Sequence, residues 1–264
     1  MEQIRAAYQQ EVRQDPGIPD SEAAAACRRA LEAAPGDPKC LRELAFALKA
    51  QLRYREASEV FSALLAQTPF SGEVLCQRGH VYLGLRAYWQ AIADFELGLR
   101  VQPEDWDCLY HTALCYYLLG DYSTAERYYA RCYAASGTEE ELTAVSDWYW
   151  LTLMRLGKKE RADELLRAVE PGWSFGENEA YFARLMVYKG LRRAEDVLAY
   201  AEQLEDQAFC TYAYGIAYYL WAVRGEKERA QALMADIASR TQSQWGGFAL
   251  QAAQAELKRG LLHG

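Results

Sequence analysis

Seven cysteines, at positions 27, 40, 76, 108, 115, 132 and 210, and three histidines, His80, His111 and His263, are the side chains of this sequence best suited to bind a metal or act as nucleophiles. The cysteines are odd in number and contain no Cys-x-x-Cys pair, which argues against both a disulfide framework and a zinc ribbon. They read as reduced, small apolar side chains. Cys108 and His111 lie three residues apart on one helix face, the single arrangement that begins a metal site, but no neighbouring stretch of sequence supplies further ligands. Packing is the expected role of such residues, and neither a metal ion nor a cofactor is expected.

Catalytic motifs are absent on inspection. There is no GxSxG, no HExxH, no glycine-rich phosphate loop followed by Lys and Ser or Thr, and no Rossmann fingerprint. Two acidic clusters, Glu139-Glu140-Glu141 and the stretch from Glu202 to Asp206, fall at expected inter-helix turns and read as solvated loop faces. No enzyme is expected. Trp148 and Trp150 flank Tyr149 on one helix, and at 100° per residue the three rings cannot all face one core stripe. Either they form a broad stripe between adjacent hairpins, or at least one looks onto an interaction surface.

Composition narrows the partners. The 264 residues carry a net charge of −8, with no basic run of five or more, so nothing is available to neutralise a phosphate backbone and nucleic acid is not an expected partner. Residues 1–13 are charged and lack an apolar h-region, so the reading is neither a secretory nor a lipoprotein signal, and the expected location is the cytoplasm. Gln207 to Val223 runs seventeen residues without a charge, close to a membrane span. Its four tyrosines, Tyr212, Tyr214, Tyr218 and Tyr219, suit a buried helix of a hairpin better.

The elements that position these residues are announced by a period of 34. Leu41, Leu75 and Leu109 occupy one position, Ala45, Gly79 and Ala113 the next, then Leu48, Tyr82 and Tyr116. Ala57, Ala91 and Ala125 follow, then Phe61, Phe95 and Tyr129. Pro69 and Pro103 close two copies, and Gly137 stands where a third proline would fall. Large residues fill a core and small ones permit close approach, so each copy is a helical hairpin stacked on the next.

The expected elements are a helix over 2–14, a degenerate first repeat or cap within 1–37 with Ala23 and Cys27 in phase, and three clear repeats over 38–137. Ala162 follows Ala125 by 37 residues, which places about three inserted residues in the turn Gly137–Glu141 before a fourth repeat over 142–170. Two divergent repeats over 177–239 and a closing amphipathic helix over 244–260 complete one solenoid domain, 1–264. Leu250, Ala253 and Leu257 give that helix an apolar stripe, Gln251, Gln254 and Lys258 a polar one, and it reads as the cap of the last apolar face.

The spacing, residue types and closing prolines of 38–137 resemble the tetratricopeptide repeat. The resemblance implies an all-α fold, a right-handed α-solenoid in which the first helices of successive hairpins line a concave groove that holds a peptide or helix of a partner. Carried over residue by residue, the groove positions are Lys39, Arg42 and Phe46; then Glu73, Cys76, His80 and Leu83; then Asp107, Tyr110, Leu114 and Tyr117, with Trp148 beyond them. Arg42 matches a position used by relatives that clamp C-terminal carboxylates. Phe46, His80 and Leu114 stand where such a clamp needs asparagine, so an apolar or helical segment is the expected ligand. The layout of the C-terminal half also looks like bacterial envelope tetratricopeptide adaptors, without their lipidation signal.

The expected function is therefore a non-catalytic scaffold or adaptor for another protein, through Arg42, Phe46, Cys76, His80, Tyr110, Leu114, Tyr117 and Trp148. Two alternatives stand beside it. One is a self-assembling structural protein, a homodimer through exposed aromatics such as Tyr128, Trp148 or Trp173. The other is an enzyme with its site in the divergent C-terminal half.

Overall fold

The computed structural model of the protein describes residue 15, residues 17–240 and residues 247–260. The helix expected over 2–14, the start of the closing helix at 244–245, and His263 lie outside the described residues. Fourteen α-helices and no strand are formed by the described residues. The chain divides into two compact units, 1–115 and 116–264.

In the first unit, α1 (Glu22–Ala33), α2 (Pro38–Ala50), α3 (Tyr54–Gln67), α4 (Gly72–Gly84) and α5 (Tyr88–Val101) pack each against the next. The next helix, α6 (Trp106–Leu119), begins here and ends in the second unit. Local chemistry sets the starts. Ser21, Asp37, Ser71 and Asp105 each accept the backbone N–H three residues on, satisfying a donor that the first helical turn leaves free, and Pro38 fits where no N–H is needed.

The repeat positions sit where the period places them. Ala45, Ala57, Ala91, Phe61 and Phe95 are completely buried, and a Cβ added to Gly79 would lie 2.6 Å from the Phe95 ring. Two expectations need correction. Ala24, not Ala23, is buried with Cys27 on α1, because the first repeat is degenerate and its helix is rotated by one residue. Tyr82 and Tyr116, expected in the core beside Leu48, are half-buried. Tyr82 lies under the guanidinium of Arg78 at 5.6 Å, and Tyr116 stacks on Tyr128 at 5.8 Å. Both keep a hydroxyl in reach of water, as an amphipathic ring prefers.

In the second unit, α7 (Tyr122–Ala135) packs on α8 (Glu139–Arg155), which also meets α9 (Lys159–Ala168) and α10 (Glu179–Tyr188). Beyond them α11 (Ala194–Ala201), α12 (Asp206–Ala222), α13 (Lys227–Ser239) and α14 (Phe248–Arg259) complete the unit, with α12 in contact with α10, α11, α13 and α14. The three-residue slip is inside a helix, not in a turn: α8 has 17 residues where α6 has 14. Three residues are nearly one helical turn, so the insertion lengthens α8 without rotating its buried face away.

Glu139, Glu140 and Glu141, expected in a solvated turn, form the first turn of α8. Glu141 and Thr138 make a reciprocal capping box, and the negative charges lie at the positive end of the helix dipole. Glu139 accepts the Ser174 N–H at 2.7 Å and Glu140 that of Glu177 at 3.1 Å, so the Pro-Gly-Trp loop is tied to this end.

The turns inside the hairpins carry one backbone feature at the period of the sequence. Leu52, Arg86, Gly120 and Gly157 all have positive φ, between 58° and 85°. This conformation reverses the chain tightly between two helices, and it costs any residue with a side chain. The helix Asp206–Ala222, the uncharged stretch, is buried over most of its length, and no helix among the described residues is long and apolar enough to cross a membrane.

Candidate functional site

The first helices of the N-terminal unit are α2, α4 and the start of α6, and their side chains meet in a series of cross-helix pairs. Arg42 on α2 makes a two-pronged ion pair with Glu73 on α4, one arm at 2.7 Å, and its guanidinium lies 5.5 Å from the centre of the Phe46 ring. Phe46 is half-buried and meets Phe61 edge-on at 5.7 Å. One turn further, Lys49 donates to Gln77 at 2.7 Å. Arg42 and Glu73 keep about half of their side-chain surface in water, 46% and 52%, so their pairing contributes little to stability and leaves both available to a ligand.

Between α4 and α6 the pairs converge on Asp107. His80 Nε2 lies 2.8 Å from Asp107 Oδ2, His111 Nδ1 lies 2.9 Å from Oδ1, and the Cys76 thiol donates to Oδ2 at 3.1 Å. The two imidazoles are 4.0 Å apart between ring centres. Burial works against ionising Asp107, but the charge of His111 and the hydrogen bonds from both imidazoles outweigh it and hold the carboxyl well below its ordinary range. Burial, with the neighbouring His111, lowers His80 to about 4, so at neutral pH its ring is uncharged. The Cys76 thiol is pushed far up, first by its hydrogen bond with Cys108 and then by burial.

Sequence reasoning placed eight residues on a binding surface, and the structure separates them. Arg42 is exposed, Phe46 and His80 are half-buried, and Cys76 is shut in beneath Asp107. Tyr110 is 4% exposed and stacks its ring on Trp106 at 4.9 Å, while Leu114 is completely buried. Neither offers a surface. In the second unit Tyr117 and Trp148 are also completely buried and meet edge-on at 5.2 Å. The expectation that one ring of Trp148, Tyr149 and Trp150 faces outward is overturned, since none is more than 6% exposed. The reason is that α8 is surrounded: α7 and α9 take Tyr149 through Tyr133 and Arg161, α10 takes Trp150 through Tyr188 at 3.8 Å, and α12 takes Trp148 through Tyr214 at 5.5 Å. A helix apolar on every side is a core helix.

The closing helix was expected as an end cap, and it does pack on α12 and α13. It also reaches back over the first helices of the second unit. Glu256 of α14 pairs with Arg155 at the end of α8 and accepts the Tyr214 hydroxyl of α12 at 3.1 Å. Tyr117 and Tyr214 join their hydroxyls at 2.7 Å, and Arg259 donates to the Leu118 carbonyl at 2.7 Å. Gln251, read as part of a polar stripe, is 2% exposed, and Glu256 is completely buried. What signalled this was the run of small residues Ala249, Ala252 and Ala253 in step with Glu256, which lets the backbone of α14 come close on that face. The same unit buries an ion pair, Asp147 of α8 with Arg184 of α10 at 2.6 Å. Burial raises Asp147 to about 7 against the pull of Arg184.

In the second acidic cluster, Asp206 pairs with Arg240 at 2.8 Å. None of the seven cysteines is in a disulfide, and all but Cys40 are buried, as small apolar side chains are. Exposed tyrosine and tryptophan rings are scattered: Trp89 is 39% and Tyr200 45% exposed, while Tyr128 and Trp173 are half-buried.

A family model of the tetratricopeptide repeat matches residues 21–75, the stretch from the cap of α1 into α4. Among solved structures, a tetratricopeptide repeat protein from Parabacteroides merdae ATCC 43184 superposes with a TM-score of 0.56 at 18% identity, over 88% of this chain and 91% of that one. The protein MamA superposes at 0.51 with 15% identity, over 65% of this chain and 85% of its own. YrrB, described as a TPR protein with an unusual peptide-binding site, does so at 0.50 with 18% identity, over 88% of this chain and all of its own. Residues 21–75 match the tetratricopeptide repeat in sequence, and the described residues share the all-α helical-repeat architecture of these solved structures.

Proposed function

We propose that the protein is a non-catalytic scaffold that binds a peptide or helical segment of another protein on the first-helix face of its N-terminal unit. The observation that carries this reading is the row of Arg42, Phe46, Glu73 and His80 on α2 and α4. It joins a half-buried aromatic ring to charged side chains that keep contact with water, and Arg42, Phe46 and Glu73 fall in the stretch that matches the repeat family. Partly covered aromatic and arginine side chains dominate binding surfaces, each costing on the order of 2 kcal/mol or more when truncated. In the second unit the first helices are covered instead by α14, so the reading centres on the first.

The test compares the parent chain with Arg42→Ala combined with Phe46→Ala, both immobilised and exposed to a lysate of the source cells, with captured proteins quantified by mass spectrometry. The scaffold reading expects a defined set of proteins to be retained by the parent and lost by the variant, at nearly equal melting temperatures. Equal capture by both would place the binding surface elsewhere or remove the function.

A further inference from the structure

We propose that Cys76, His80 and Asp107 form a binding site for a divalent transition-metal ion of the zinc class, seated between α4 and α6. The side chains come together because Cys76 and His80 are four residues apart on one face of α4, while Asp107 opens α6 opposite them. Two of the three ligands arrive from the preceding repeat, which no local spacing in the sequence announces.

The ligand atoms fall into two overlapping sets, and within each set every pair is within 4.8 Å: Cys76, Asp105 and Cys108 in one, Cys76, His80 and Asp107 in the other. Two ligands on one tetrahedral zinc ion lie about 3.3 to 3.8 Å apart, given bonds of about 2.3 Å to sulfur and about 2.0 to 2.1 Å to nitrogen and oxygen. Cys76 is common to both sets and marks the centre. The Cys76 and Cys108 thiols already share a hydrogen bond that a metal would replace.

The donor set is one sulfur, one imidazole nitrogen and one carboxylate oxygen, with a solvent molecule as the fourth ligand, which suits zinc and cobalt and disfavours magnesium and calcium; Asp105 and Cys108 belong to the other set. His111 supplies what a metal ligand needs behind it, holding the second oxygen of Asp107 at 2.9 Å and fixing the carboxylate's orientation. Access is provided on one side, since Asp107 keeps 41% of its side chain in water while the Cys76 thiol is buried. On binding, the Cys76 thiol releases its proton to solvent, and one thiolate with the Asp107 carboxylate meets the two charges of the ion. The site would tie the second repeat to the start of the third. It stands on these contacts and does not depend on the scaffold reading.

The test uses the full chain, kept reduced and stripped of metal, and titrated first with Co²⁺ and then with Zn²⁺. One equivalent of Co²⁺ is expected to produce thiolate-to-cobalt charge-transfer absorption and the intense visible bands of a four-coordinate ion, and Zn²⁺ is expected to displace it and raise the melting temperature. Cys76→Ser and, separately, His80→Gln should lower the affinity by about a hundredfold or more, whereas Cys115→Ser, which alters a buried thiol outside the set, should leave the spectrum unchanged. Circular dichroism of each variant shows whether it is folded, and His80→Gln, at a side chain that keeps 18% of its surface in water, serves if Cys76→Ser is not. Absence of a thiolate band in the reduced parent, or a band that survives in a folded Cys76→Ser or His80→Gln variant at equal affinity, overturns the proposal.

Discussion

Asp147 and Arg184 face each other at 2.6 Å with no part of either side chain in contact with water. The guanidinium also donates to the Thr211 carbonyl at 2.9 Å and to the Tyr188 hydroxyl at 3.2 Å, and Gly215 leaves the space beside it that any side chain would fill. A buried pair of this kind gains little over an apolar pair of the same shape, but losing one partner strands a charge. Arg184→Met is therefore expected to destabilise the protein by about 3 to 5 kcal/mol, and adding Asp147→Leu to recover most of that in urea melts. The single variant also strengthens a pH dependence that the parent already has. With Arg184 present the Asp147 carboxyl already titrates near 7, and without it the value rises further. The folded variant then holds a proton that the unfolded chain gives up near 4, so stability is greatest at low pH and is lost as pH rises through the folded-state value. Equal loss at pH 4.5 and pH 8 would contradict this.

The repeat phase makes a steric prediction at Gly79. Its missing side chain leaves room for Phe95, whose ring is completely buried and has nowhere to turn. Gly79→Ala should cost about 1 to 3 kcal/mol despite the higher helix propensity of alanine, and Ala91→Leu on the facing helix a similar amount. Gly98→Ala offers a milder comparison, because its added Cβ would meet the Cys108 sulfur at 3.0 Å. A stabilised Gly79→Ala variant would show that the two helices separate freely.

The hairpin turns make an opposite pair of predictions. Gly157 has φ of 68° with open space around it, so Gly157→Ala should destabilise by about 1 kcal/mol through backbone strain alone. Leu52 holds φ of 58° with a side chain that is 41% exposed. Leu52→Gly relieves that strain, and is expected to leave stability unchanged or raise it by up to about 1 kcal/mol, since glycine's extra freedom in the unfolded chain offsets part of the gain. Differential scanning calorimetry of the two variants would settle the signs.

Deleting the chain from residue 248 onward removes Glu256, the partner of Arg155, whose side chain is 5% exposed, together with the cover over Leu250's neighbours on α12 and α13. The truncated protein should bind a hydrophobic dye and aggregate on mild heating, because an array with an uncovered apolar face presents that face to water. Glu256→Ala in the full chain tests the polar contribution separately, with an expected loss of about 3 to 5 kcal/mol from an unpaired Arg155. A soluble truncation with the parent's melting temperature would make α14 dispensable.

The sequence by itself determined the hairpins. A period of 34 with Leu, Ala, Phe and Pro at constant offsets can be satisfied only if each position meets its counterpart in the next copy, so the core residues Ala57, Ala91, Phe61 and Phe95 were legible before any coordinate. The helix starts are local as well, because a cap such as Asp37 or Ser71 acts on a backbone N–H three residues away. What the tertiary structure decided was every relation between residues that local spacing leaves independent. Tyr117 and Trp148 had the offsets of a surface and are core, because Tyr214 of α12 returns onto both from far later in the chain. Cys76, His80 and Asp107 had no common motif and lie in one cluster, because facing helices bring together ridges whose separation in sequence is set by a turn. Periodicity reports the geometry of one element against its neighbour, and burial by a distant element leaves no periodic trace.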